Sequence, residues 1–241
     1  MDFWRNAVCL LKDCLFPVFC FECQTEGKWW CEKCIKKYAI TGVYYCPICH
    51  IDNNSGQPCN HCKVVSPLNG VAAFFNYNNH NVVGELIKQY KYNFAFDISS
   101  VWNMLIDLYL INIINKMNID VNSLTIIPIP LHKRRERERG FNQADMIAKK
   151  IYRTLICERK VEFDNRNFLR KKYTQQQAKL SREYRLSNLK EAFVWCGKNP
   201  APKNILLIDD VFTSGATMQE CSRVLKKFGA QKVYGFTLAR D

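Results

Sequence analysis

The sequence predicts an α/β fold, a mostly parallel sheet flanked by helices, preceded by a small cysteine-rich metal-binding module. Three observations carry that prediction. Four C-x2-C pairs fall within residues 20–62. Short apolar runs alternate with stretches of helical periodicity from residue 71 onward, the order that builds parallel sheets. One such run, residues 205–208, leads directly into two carboxylates, a polar turn containing glycine, and a helix.

The chain has 241 residues, 48% of them hydrophobic. It can therefore bury one large core or two smaller ones, and disorder is not the starting assumption. The most apolar stretch, residues 101–114, is interrupted by Asn103, Asp107 and Asn112 and reads as a core helix rather than a membrane span. Asp2 stands where a signal peptide would carry positive charge, and Asp13 breaks the apolar run that follows, so a cytoplasmic protein is expected. Pro67-Leu68-Asn69-Gly70 has the composition of a linker. It divides an N-terminal module, residues 1–66, from an α/β domain, residues 67–241.

The paired cysteines are Cys20/Cys23, Cys31/Cys34, Cys46/Cys49 and Cys59/Cys62. A C-x2-C turn brings two sulfurs to one metal, and two such turns complete a tetrahedral thiolate shell, so two structural zinc sites are expected. The spacing C-x2-C-x7-C-x2-C followed by C-x2-C-x9-C-x2-C looks like one unit written twice, which favours pairing in sequence order; a cross-braced arrangement stays open. Such a segment is too small to fold on an apolar core of its own, and structural zinc supplies on the order of 10 kcal/mol. His50 and His61 neighbour the cysteines but are superfluous as ligands where eight thiolates are present. Trp29, Trp30, Tyr44 and Tyr45 are read as packing the ribbons. Cys9 and Cys14 are read as core residues, and Cys157, Cys196 and Cys221, which lack metal spacing, as packing.

Beyond the linker the chain reads as follows. Residues 71–77 form a strand. Val83, Leu86, Ile87 and Tyr90 make a helical stripe over residues 82–92. Ser99 or Ser100 caps a helix over residues 101–116. Residues 124–127 form a buried strand that runs into Pro128-Ile129-Pro130-Leu131-His132. Five basic residues then occupy seven positions: Lys133, Arg134, Arg135, Arg137 and Arg139. Gly140 gives backbone freedom, and residues 143–156 form a helix with Ala144, Ile147, Ala148, Ile151 and Leu155 on one face. Residues 169–193 are rich in amides, hydroxyls and bases and read as a mobile loop leading into a helix; basic loops of this kind close over anions.

The strand at residues 205–208 is followed by Asp209 and Asp210, by Thr213-Ser214-Gly215-Ala216-Thr217, and by a helix bearing Met218, Cys221, Val224, Leu225 and Phe228, with Gly229 at its end. A loop feeding a helix N-terminus directs several N–H groups at one point, and the helix dipole adds positive potential there. That is a cradle for phosphate. Two acids beside it repel a phosphate unless they face ribose hydroxyls or a hydrated Mg²⁺. The alternative, Thr and Asp acting only as caps of a strand-to-helix turn, stays open on the residues alone. Charge supports an anionic partner. The net charge is +13, and residues 133–190 alone hold 18 Lys/Arg against 7 Asp/Glu, a local excess suited to a polyphosphate or a nucleic acid.

Residues 205–217, ILLIDDVFTSGAT, resemble the thirteen-residue phosphoribosyl pyrophosphate (PRPP) motif of type I phosphoribosyltransferases. Two further patterns narrow the resemblance. P-x-P-L-H-x-x-R-x-x-x-R-G-F-N-Q is met by Pro128, Pro130, Leu131, His132, Arg135, Arg139, Gly140, Phe141, Asn142 and Gln143. T-x-x-Q-x-x-L-x-x-x-x-R-x-x-N is met by Thr174, Gln177, Leu180, Arg185 and Asn188. With the cysteine pairs ahead of them and Thr237-Leu238-Ala239-Arg240-Asp241 at the end, the chain resembles the ComF (ComFC) family of bacterial competence proteins over nearly its whole length. The departures are Ser214, where Thr is common, and a long N-terminal extension.

The resemblance implies a double zinc ribbon followed by a type I phosphoribosyltransferase fold. It implies a role in natural transformation (DNA uptake), with single-stranded DNA binding at the cytoplasmic side of the membrane and a competence helicase or recombination mediator as partner. It further implies that Mg²⁺-PRPP is bound, with Asp209 and Asp210 on the ribose hydroxyls and Thr213, Ser214, Gly215, Ala216 and Thr217 on the 5-phosphate. Pro130, Leu131 and His132 would form the pyrophosphate loop, Arg135 and Arg139 its basic continuation, and residues 174–188 the flexible loop. Two readings follow. One is a competence factor with a PRPP site and a DNA-binding basic segment. The other is an active phosphoribosyltransferase using Asp209, Asp210, Arg135 and Arg139 to pass phosphoribosyl to an unknown acceptor.

Overall fold

Six strands form the sheet on which the larger part of the chain is built, in the order β1-β2-β8-β7-β3-β4. They are β1 (Val43–Tyr44), β2 (Gly70–Asn76), β3 (Leu124–Pro128), β4 (Glu162–Phe163), β7 (Asn204–Phe212) and β8 (Lys232–Arg240). The short β1 pairs antiparallel with β2, and every other pairing is parallel. A two-stranded antiparallel ribbon, β5 (Phe168–Arg170) and β6 (Phe193–Trp195), stands apart from it. The helices are α1 (Glu32–Ile35), α2 (Val82–Tyr92), α3 (Ala95–Lys116), α4 (Lys133–Arg139), α5 (Gln143–Ile156) and α6 (Ala216–Lys227). This computed structural model describes residues 17–38, 40–77, 82–92, 95–156, 160–173, 189 and 191–241, with backbone only at 92 and 95–97.

The chain divides into two compact units, Met1–Ile40 with Asn78–Val101, and Thr41–Tyr77 with Trp102–Asp241. In the first, Trp30 is 1% exposed. It meets Tyr38 edge-on at 5.2 Å and donates through Nε1 to Glu22 at 3.2 Å. Glu22 also pairs with Lys37 at 3.1 Å. The tryptophan therefore packs its ribbon, as its spacing suggests. The second unit holds the sheet, and the second set of four cysteines belongs to it.

β3, β7 and β8 carry near-continuous apolar runs because both faces of a parallel sheet are covered. Ile126, Ile127 and residues 205–208 are all fully buried. Gly235 on β8 allows α6 to lie close, for a Cβ there would fall 2.0 Å from the sulfur of Met218. α5 presents Ala144, Ile147, Ala148, Ile151 and Leu155 to the core, the face that its periodicity predicts.

Several elements differ from the sequence expectation. α3 begins at Ala95, so Ser99 and Ser100 lie within the helix and do not cap it; fully buried Ile98 extends the apolar pattern upstream of both serines, and packing outweighs their weak helix propensity. α3 is also the stretch read above as a core helix. Residues Ile98–Lys116, with mean hydropathy 1.2, are long and apolar enough to cross a membrane by length and composition, and 44% of that window is buried inside the protein. Cys196, read as packing, is exposed, whereas Cys221 is buried as expected. The segment read as a mobile loop opens instead with β5 and closes with β6. Residues 174–188, including Thr174, Gln177, Leu180, Arg185 and Asn188, lie outside the described residues, as do Cys9, Cys14 and Cys157.

Candidate functional site

In an open parallel sheet, ligands bind outside the C-terminal ends of the strands where the strand order reverses. Here the chain leaves β3 for β4 on one side, and the later β7 inserts on the other side. The switch point therefore lies between the C-terminal ends of β3 and β7. β3 ends opposite Ile208, so the last residues of β7 pass beyond it. Those residues include both acids of the predicted site: the strand runs through Asp209 and Asp210 to Phe212 rather than ending at Ile208.

Successive strand residues point to opposite faces, and this separates the two acids. Asp209 lines a small concavity with Thr213, Ser214, Gly215, Ala216 and Thr217. Its carboxylate also accepts from the Asp210 amide at 2.9 Å. Asp210 is 9% exposed and does not line that concavity. The loop turns on Gly215, whose φ of +71° is left-handed and which stands at the N-cap of α6 with no side-chain cap bond. The hydroxyls of Thr213 and Thr217 thus sit around a helix N-terminus where amides converge, the setting that favours an anion.

The loop after β3 forms a larger cleft of about 390 Å³. Pro128, Pro130, Leu131 and His132 line it from one side, and Phe168, Leu169, Arg170 and Lys171 of the ribbon from the other. The basic run is not a loop but the short helix α4. His132 caps it, accepting through Nδ1 from the Arg134 amide at 3.2 Å, and Gly140 ends it at φ +81°. Glu138, four residues after Arg134, accepts from its Nε at 3.0 Å; the acids that interrupt the run make it helical through such i,i+4 pairs. Arg139 donates to Gln143 at 3.3 Å. Arg135 and Arg139 are half-buried and do not line the cleft.

Arg170 went unnoticed in the sequence because it stands in a segment read as loop. Burial pulls its guanidinium below the ordinary value; the nearby charge of Arg135 adds to this, while Asp209 opposes it. It packs over the Phe193 ring at 5.3 Å. Arg170 is half-buried, lines the cleft at β3 and lies within electrostatic reach of both Arg135 and Asp209. The signal that would have found it is a basic residue inside the short apolar run of residues 168–170.

The cysteines pair in sequence order. Cys20, Cys23, Cys31 and Cys34 form one quartet and Cys46, Cys49, Cys59 and Cys62 the other, with all sulfurs of a quartet within 4.8 Å of one another. A tetrahedral zinc site with bonds of about 2.3 Å needs sulfurs about 3.8 Å apart. Cys23 and Cys31 are 3.7 Å apart, and Cys49 and Cys59 are 3.8 Å apart. The donor set fits two zinc ions, which supply fixed four-point crosslinks when bound. Within each quartet the thiols are inequivalent. Bonding to the Thr25 hydroxyl holds Cys23 down at about 6. Burial opposes ionisation of Cys46, but the N–H groups of Cys49, Cys59 and Ile48 together outweigh it and bring it to about 6. Cys34 is pushed up to about 12 by burial and then by its sulfur neighbours, and Cys62 to about 12 by Cys59 and burial. His50 and His61 are in neither quartet.

Fold and site together define a parallel α/β protein with an anion-type loop at its switch point and two four-cysteine metal modules. No family profile matches the chain. It is similar to DNA utilization protein YhgH of Escherichia coli O157:H7, 28% identical over 232 residues that cover 93% of this chain and 97% of that protein. It is also similar to competence protein ComFC of Bacillus subtilis, 28% identical over 261 residues that cover 98% and 96%. Competence protein F of Haemophilus influenzae is 39% identical over 119 residues, and the match spans only about half the length of that relative, 49%. Over nearly its whole length the chain is thus similar to proteins named for competence and DNA utilization.

Proposed function

We propose that this protein is a competence factor for DNA uptake, working in the cytoplasm, whose α/β domain binds Mg²⁺-PRPP and whose basic segment follows single-stranded DNA. The observation that carries the proposal is that the Thr213–Thr217 and Pro130–His132 loops follow adjacent strands, β7 and β3, at one topological switch point, in a chain similar over nearly its whole length to proteins named for competence and DNA utilization.

In this reading the amides of residues 213–217 and the hydroxyls of Thr213, Ser214 and Thr217 hold the 5-phosphate, and Asp209 takes the ribose hydroxyls from the same concavity. Asp210, on the opposite face of the strand, is buried and leaves the ribose to Asp209. Pro130, Leu131 and His132 frame the pyrophosphate, with Arg135, Arg139 and Arg170 supplying positive potential around it. Lys133, Arg134 and Arg137 on the open side of α4 contact a DNA backbone through phosphate charge, which carries no sequence information. The eight thiolates hold zinc in a structural role.

A second reading, turnover of PRPP onto an acceptor, draws on the cleft beside the Pro130–His132 loop, whose 390 Å³ is roomy for a pyrophosphate alone. Two titrations in competition test both. Calorimetry with Mg²⁺-PRPP is expected to give heat with the wild-type chain and none with the Asp209→Ala/Asp210→Ala variant; absence of heat with the wild type ends the PRPP reading. Affinity for single-stranded DNA is expected to fall linearly with log salt, and a flat response ends the backbone reading. Displacement of DNA by PRPP would place the two on overlapping surfaces. Release of pyrophosphate without added acceptor, or with a panel of nucleobases, decides turnover.

A further inference from the structure

The second cysteine quartet packs directly behind the phosphate loop. Gln219, on the first turn of α6 and 5% exposed, donates through Nε2 to the carbonyl of Pro47 at 2.9 Å. Pro47 lies between the ligand pair Cys46 and Cys49. The ring of Phe212 is held edge-on between Tyr45 at 5.1 Å and His50 at 5.5 Å, the residues that bracket the same turn. Gly215 then seats against that ring, since a Cβ there would lie 2.4 Å from Phe212 and 3.2 Å from Gln219 Nε2. From the last strand, Arg240 donates to the His50 carbonyl at 2.6 Å and lies over Tyr45 at 4.4 Å.

The turn itself is not self-sufficient. Two backbone bonds close it, Cys46 N–H to Ile51 and His50 N–H to Cys46. His50 sits at φ +62°, a left-handed conformation that is unfavourable for a residue with a Cβ. The four thiolates, once they share a metal, fix that geometry and with it the surface on which Phe212 and Gln219 rest.

We propose that the second quartet, Cys46, Cys49, Cys59 and Cys62, is a positioning element for the phosphate loop, and that Gln219 and Phe212 are the positioning residues through which metal loading there sets the order of residues 213–217. The metal in this module thereby controls anion affinity at the switch point rather than contacting nucleic acid. The coupling stands on packing alone; only its consequence for ligand rests on the PRPP reading.

Amide hydrogen exchange of the zinc-loaded full chain tests it. Cys59→Ser is expected to raise exchange at residues 213–217 about tenfold or more, and Cys23→Ser, in the first quartet, to leave them at the wild-type rate. Gln219→Met keeps the shape but removes the donor to Pro47. It is expected to raise exchange of the loop about tenfold, the scale of one buried hydrogen bond, with zinc content and the protection of residues 147–151 in α5 unchanged. Equal effects of Cys59→Ser and Cys23→Ser, or unchanged loop protection in Gln219→Met, overturn the proposal. Should Cys59→Ser lose protection throughout, Gln219→Met decides alone. Titration with Mg²⁺-PRPP separates the two readings. Wild-type chain that does not bind refutes the PRPP site while the exchange result stands. Wild-type chain that binds, with Gln219→Met binding equally well, refutes the positioning role.

Discussion

Replacing Gly215 with alanine should cost far more than the same change at Gly140, although both glycines have a left-handed φ. At Gly140, φ is +81° and nothing lies within 4 Å of the position a Cβ would take. Only the backbone penalty applies, about 1–2 kcal/mol. At Gly215, φ is +71° and the new methyl would fall 2.4 Å and 2.9 Å from two ring carbons of Phe212. That ring is 2% exposed and held between Tyr45 and His50, so it cannot swing into solvent. Overpacking of this kind adds about 1–3 kcal/mol, for a total of about 2–5 kcal/mol. Urea unfolding of both variants, fitted with a common m-value, reads the difference directly. If the two variants lie within about 0.5 kcal/mol of each other, the Phe212 contact does not exist as described, and the account of the loop falls with it.

Three further outcomes are expected. Ser222 is fully buried and donates to the Pro67 carbonyl at 2.7 Å; Ser222→Ala strands that carbonyl and should cost about 1–3 kcal/mol in the same urea assay, whereas a loss below that range would mean water replaces the hydroxyl. In the zinc-loaded native chain, iodoacetamide at mild alkaline pH should label exposed Cys196 and spare Cys221, which is fully enclosed and whose thiol burial pushes well above its ordinary value; mass spectrometry showing label on Cys221 would contradict its placement. Zinc binding should release protons, because Cys34 and Cys62 stay protonated to about 12 in the empty quartets. Affinity should fall as pH drops and most steeply below about 6, where Cys23 and Cys46 also take up protons; a chromogenic chelator titration that is flat between about pH 8 and about pH 5 would contradict thiolate ligation.

Much of this was legible because the signals are local. The Cys-x2-Cys spacing, the run Ile-Leu-Leu-Ile before two aspartates, and the stripe Ala144, Ile147, Ala148, Ile151 and Leu155 each state their structure within a few residues. Local chemistry misled where packing or pairing intervened. Ser99 and Ser100 have the composition of caps but sit inside α3, because burial of Ile98 carries the helix past them. The basic run at residues 133–139, expected as the basic continuation of a loop, is closed into a helix by the Arg134–Glu138 pair and the His132 and Gly140 caps. Phe212 and Gln219 read as ordinary apolar and polar positions; their partners, Tyr45, Pro47 and His50, lie more than 150 residues away.

The eight cysteine ligands, though not their division into two quartets, the parallel α/β class and the anion-type loop were readable from residue type and spacing along single stretches of chain. That Asp209 faces the concavity while Asp210 turns away, and that a half-buried Arg170 lines the neighbouring cleft, emerges from the folded chain alone. The tertiary structure alone decided that the second cysteine turn backs the loop. Those facts depend on strand pleat, on sheet order and on contacts between segments distant in sequence, which chain connectivity does not encode until the sheet has formed.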